Sequence, residues 1–132
     1  MKGNIWIGLG SVVAGLAVAA GAMGAHALGS VLDGEQMESY RTAVDYQALH
    51  GVALVLLGLL ASVAGQGRLV AAAGGTLALG TVLFSGGIYV WLATGYRHVV
   101  HVVPVGGTAL IIGWFLLAAA GLATRRQEPG SR

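Results

Sequence analysis

Charged side chains are missing from most of this polypeptide, and the gaps fall in blocks. None occurs between Gly3 and Leu32, Arg68 stands alone between Gln47 and Tyr96, and none follows from His98 to Thr124. A helix needs about 20 mostly apolar residues to cross a bilayer core of about 30 Å. Three charge-poor stretches, the middle one split at Gly65-Gln66-Gly67-Arg68, therefore predict four spans. They fall at Ile5–Ala25, Ala48–Ala64, Leu69–Thr94 and Pro104–Thr124. Helices are expected rather than strands, because lipid-exposed backbone must satisfy itself and the alternation of a barrel strand is absent. Charged residues make up 9% of the 132 residues, against about one quarter in soluble domains, so a water-soluble globule is excluded.

The expectation is thus a single all-α domain over residues 1–132, a polytopic four-helix bundle embedded in the lipid bilayer. A secretory signal is the alternative for the first span, since Lys2, an apolar run and Ala25-His26-Ala27 fit one; the run is longer than the usual 7–15 residues. Lys2, Arg68, Arg125, Arg126 and Arg132 lie on one side of the membrane, with only Arg41 and Arg97 opposite. That bias places both termini in the cytoplasm. The spans are rich in small residues four apart, at Gly10/Ala14, Gly15/Ala19, Gly21/Ala25, Gly58/Ser62 and Gly74/Ala78. In lipid such pairs let backbones approach closely; they serve the bundle's own packing or a homo-oligomer or partner seam. Trp6 and Trp91 fall near span ends, as an interfacial belt requires, while Trp114 falls mid-span and reads as packing.

One polar segment, Gly29 to Tyr46, separates the first two spans. Asp33 followed by Gln36 resembles a capping box, and Met37, Tyr40 and Val44 recur at helical spacing. A short amphipathic helix over about 34–46 is expected, lying on the membrane surface or leaning on the bundle; since the second span is short, extension of this helix into it is the alternative.

The polar residues that could carry function gather on the non-cytoplasmic side. His26 closes the first span, His50 opens the second, and His98 and His101 lie in the link before the fourth. Arg41, Asp45, Tyr46, Gln47, Ser85 and Arg97 are placed near them. Ionisable groups at membrane depth are functional candidates by default, but an imidazole can also stay neutral while bonding a neighbouring carbonyl or glutamine. A structural lock between helix ends and a ligand or proton site both stay open. A metal site at His98 and His101 is not expected: Pro104 and the valine run favour extended backbone, which turns residues three apart to opposite faces. No cysteine, G-x-S-x-G elbow or intramembrane carboxylate pair is present, so neither an enzyme nor a cofactor is expected. The few scattered arginines give no nucleic-acid footprint.

Three segments resemble the domain-of-unknown-function family 423. They are Gly21-Ala22-Met23-Gly24-Ala25-His26-Ala27-Leu28, Thr42-Ala43-Val44-Asp45-Tyr46-Gln47-Ala48-Leu49-His50, and Leu83-Phe84-Ser85-Gly86. Pro104-Val105-Gly106-Gly107, then Gly113-Trp114, are similar to the family's last span. The resemblance implies a small polytopic inner-membrane protein with no established activity, and singles out His26, Tyr46, Gln47, His50 and Ser85. The family's link before the last span resembles a glycine, isoleucine, threonine, proline stretch; Arg97-His98-Val99-Val100-His101 departs from it. The function expected is association, as an oligomer, accessory subunit or assembly partner. The rival is transport of a small solute or proton, or binding of a lipid, quinone or metal ion, at a His/Gln pocket on the non-cytoplasmic side.

Overall fold

The structure is a computed structural model that describes residues 3–65 and 67–124. Lys2, Gln66, Arg125, Arg126 and Arg132, used above for the turn and the charge bias, lie outside the described residues. Helix α1 runs Gly3–His26, a 3₁₀ turn follows at Leu28–Ser30, and α2 runs Gly34–Ala64. Helix α3 (Arg68–Thr81) passes through a π turn (Val82–Gly86) into α4 (Gly87–Thr94), making one rod of 27 residues. A second 3₁₀ turn at Arg97–His101 leads into α5, Val102–Thr124. Four rods are long and apolar enough to cross a membrane, and no strand occurs among the described residues.

The ends of these rods have local causes. Asp33 caps α2 as its spacing predicts: Oδ1 accepts from the Gln36 backbone N–H at 2.8 Å, and Gln36 Oε1 accepts from the Asp33 N–H at 3.1 Å. Two orphan donors of the first turn are satisfied reciprocally. Gly65 ends α2 at φ +85, ψ 152, a region essentially reserved for glycine. Gly95 ends α4 at φ +70, its N–H returning to the Trp91 carbonyl at 2.8 Å.

The segment 34–46 is helical and leans on the bundle, with Tyr40 and Ala43 buried, and of the two arrangements expected it takes the extended one, running into the second span without a break rather than standing as a separate short helix. No glycine or proline interrupts Tyr46 to Ala48, so the two pieces fuse. At 31 residues and about 1.5 Å per residue, α2 is about 46 Å long and outreaches the hydrocarbon core. The link 97–101 is 3₁₀ rather than extended, and Val103 is helical. Pro104 is the third residue of α5, where its missing N–H would have no intrahelical partner anyway. Packing supplies the rest: a Cβ at Gly87 would meet Val103 at 3.1 Å and Val99 at 3.9 Å, so both valines seat against a glycine surface.

The rods pair antiparallel, α1 on α2 and the α3–α4 rod on α5, with α2 joining the pairs through α3 and α4. Leu54, Leu57, Ala61, Val70, Ala73, Leu77, Leu110 and Ala120 form the core between them. Glycine sets the distances. A Cβ at Gly51 would lie 2.6 Å from the Ala14 nitrogen, and one at Gly106 2.5 Å from the Phe84 nitrogen. Of the expected small pairs, Gly10/Ala14 therefore serves internal packing, and Gly74 receives the Trp6 ring, whereas Gly15 faces open space. The bundle is open between α1 and α4. α1 meets the third rod where Trp6 lies on Gly74, but beyond that point α1 and α4 leave a cleft between them.

Candidate functional site

Helix α2 carries the buried polar side chains Gln47 and His50, and the third rod carries Thr81 and Ser85. Gln47 joins three rods. Its Nε2 donates to the Val13 carbonyl of α1 at 3.0 Å, and its Oε1 accepts from the Tyr89 hydroxyl of α4 at 2.8 Å. Ser85 lies in the π turn, and its hydroxyl donates to the Ala43 carbonyl of α2 at 2.7 Å. Tyr40 donates to the Ala20 carbonyl at 2.6 Å and places its ring 5.6 Å from that of Tyr89. Phe84, also in the π turn, stacks on Tyr46 at 4.4 Å.

His50 fixes its own tautomer. Nδ1 lies 2.6 Å from the Tyr46 carbonyl, which can only accept, so Nδ1 carries the proton. Nε2 lies 3.1 Å from Trp114 Nε1, which can only donate, so Nε2 is the acceptor. The two contacts describe a neutral imidazole that ties α2 to α5. Among the described residues no buried side-chain nitrogen or oxygen lacks a partner, so the cluster is a closed circuit, its bonds running from helix to helix except at His50–Tyr46 and Thr81–Leu77.

The expected pocket is thus only partly assembled. Gln47, His50 and Ser85 enter the circuit directly, and Tyr46 contributes its carbonyl and its ring. His26 does not join: it is exposed at the end of α1, thirteen residues or about 20 Å along the axis from Val13. Nor do the histidines share one depth. His50 lies fourteen residues, about 21 Å, from the end of α2, because the fusion of the polar segment with the second span moves it inward. Arg41, Asp45, Arg97, His98 and His101 are exposed and enter none of these bonds. Tyr40, Tyr89 and Trp114 are the members that sequence reasoning passes over. Their signal was present: a hydroxyl or indole N–H inside an apolar span must find a partner, since hydrocarbon supplies none.

Beside the circuit lies the cleft between α1 and α4. It comprises two adjoining cavities of about 500 and 350 Å³ that share Leu16, Ala20 and Tyr89. Leu28, Val31 and Leu32, from the link after α1, close its wide end. Gln47, Thr81 and Ser85 line the smaller cavity, but their hydrogen bonds are already made within the protein. A guest would meet hydrocarbon almost throughout.

Apolar rods packed at glycine, cross-tied by a satisfied polar circuit, define a small multi-pass helical membrane protein. The chain belongs to the family described as protein of unknown function (DUF423), which matches residues 20–107. All five residues singled out by the resemblance fall within that stretch. Among its relatives is the UPF0382 inner membrane protein YgdD of Escherichia coli, 38% identical over 83% of each chain. A UPF0382 membrane protein of Staphylococcus epidermidis is 37% identical over 90% of this chain and 96% of its own. The UPF0382 membrane protein YwdK of Bacillus subtilis is 34% identical over 90% and 97%. No solved structure matches the chain. Membership brings a membrane location and no established activity.

Proposed function

We propose that the protein acts by association within the membrane, as a homo-oligomer or an accessory subunit, and not by catalysis. The observation that carries this reading is the closed polar circuit: side chains that could bind or turn over a substrate are spent on neighbouring helices. The flanking rods supply the surface for association. α1 packs mainly on α2 and α5 mainly on the third rod, while Val18 and Phe115 are 74% and 73% exposed and Gly15 is uncovered. The chain has no cysteine, so single cysteines can be introduced into the native background. Val18→Cys or Phe115→Cys, treated with a short bismaleimide in intact membranes, should give a discrete crosslinked species. Monomer alone from both variants, with a monomeric mass in nanodiscs, would sink the proposal.

The same reading places the chain in the inner membrane with both termini in the cytoplasm, supported by the arginine and lysine bias and by the printed name of the E. coli relative. A C-terminal green fluorescent protein should fluoresce, and alkaline phosphatase inserted after Gly95 should be active; the reverse pattern would invert the topology.

The cleft favours a second reading, in which it holds one acyl chain of a membrane phospholipid. On α1 it is lined from Val13 to Met23, about 15 Å of helix, which is the depth of one leaflet. Native mass spectrometry should then show one phospholipid retained per chain, lost in Ala19→Phe. Equal retention by both proteins would reject the reading. Transport of a proton or solute draws less support, because His26 stands apart from Gln47 and His50.

A further inference from the structure

The 3₁₀ turn at Arg97–His101 changes what its two histidines can do. In a 3₁₀ helix residues three apart eclipse one another, so His98 and His101 share a face instead of pointing oppositely. Their ring centroids are 6.2 Å apart with planes inclined at 44°. Both side chains are exposed, and among the described residues their side-chain contacts are with other rings, His98 also lying 5.3 Å from Tyr96. Arg97 is one residue away, about 120° round the same turn, and so is directed off the histidine face.

We propose that His98 and His101 form a two-imidazole site for a divalent transition metal of the zinc, copper or nickel class. Imidazole nitrogen suits these ions, and metal–nitrogen bonds run about 2.0–2.1 Å. Two such bonds, with the halves of both rings behind them, span up to about 6–7 Å. From the observed 6.2 Å separation, one ion bridges the pair once side-chain rotation turns a nitrogen of each ring toward the other and brings the rings closer by about 1 Å, as a tetrahedral angle requires. Open positions are filled by water or by ligands from a second copy. Binding involves no oxidation or reduction, only exchange of water for nitrogen.

The test uses the full chain in detergent, purified on a peptide tag without histidine. Isothermal titration with zinc chloride should show saturable binding. With copper(II), electron paramagnetic resonance should show hyperfine coupling to two imidazole nitrogens. Losing either ring turns a chelate into a single ligand, so His98→Ala or His101→Ala should weaken binding by on the order of a hundredfold. His26→Ala should leave it unchanged. One metal per chain, or one per two chains with the same histidine dependence, supports the site; the second stoichiometry adds that another copy completes it. Unchanged binding in a variant carrying both His98→Ala and His101→Ala, loss confined to His26→Ala, or no binding by the unaltered chain at millimolar metal would each overturn it. Both side chains are exposed, and unchanged circular dichroism would show that the variants fold.

Discussion

Gly51→Leu is expected to lose about 3 kcal/mol of stability, at the upper end of ordinary overpacking costs, with a melting transition in detergent lowered accordingly. The reason is what surrounds the missing side chain. A Cβ at Gly51 would come within 2.6 Å of the Ala14 nitrogen and 2.9 Å of its Cα. Both are backbone atoms of a helix, which cannot swing aside as a side chain can. Facing it, a Cβ at Gly10 would lie 2.5 Å from the Gly51 carbonyl oxygen, so the seam is closed from both sides. Relief requires α1 to withdraw from α2, and that stretches the Gln47–Val13 and Tyr40–Ala20 bonds as well. Gly51→Ala should fall between. Gly15→Ala meets open space and should be stabilising by up to about 1 kcal/mol through helix propensity. Equal melting temperatures for Gly51→Leu and Gly15→Leu would refute the close approach.

Gln47→Leu should cost about 1–3 kcal/mol, since it removes two interhelical bonds averaging about 0.6 and reaching about 1.7 kcal/mol each in membrane proteins, and leaves their partners unpaired. The leucine is of similar bulk and more apolar, so hydrophobicity alone predicts the opposite sign. Tyr89→Phe deletes one hydroxyl and should cost roughly 1 kcal/mol. In Gln47→Leu the Tyr89 hydroxyl has already lost its acceptor, so the second change should add little. A double-mutant cycle measured by unfolding in sodium dodecyl sulfate should therefore show coupling of about 1 kcal/mol. Strict additivity would mean that the Tyr89–Gln47 bond carries no stability.

The rods and their ends are legible because hydrocarbon punishes charge and unpaired backbone, which leaves charge-free blocks, and because Asp33 with Gln36 is a local code. Part of the polar circuit is legible for a related reason: Gln47, His50 and Ser85 stand out against apolar neighbours. What is not legible depends on distance. Nothing near Trp114 indicates that its partner is His50, sixty-four residues earlier. The exclusion of His26 follows from where α2 begins, a property of the whole segment rather than of its motif. The link before α5 misleads because valine preference is a weak force beside the glycine surface at Gly87, which is remote in sequence. Gly10 and Gly15 look alike in the chain, and only the neighbouring helix distinguishes them.

The π turn at Val82–Gly86 has one more consequence. Its extra residue rotates everything after it by about 100° relative to an uninterrupted α-helix. Before it, Leu77 and Gly80 face Gly113 and Leu110 of α5. In and after it, Leu83, Phe84 and Gly87 still meet Gly106 and Val103 of α5, while the side chains of Ser85 and Tyr89 bond to α2. The extra residue thus lets one rod turn hydrogen-bonding side chains to α2 while its backbone and glycine surface stay on α5, so the tie between the two helix pairs is a phase change inside a helix.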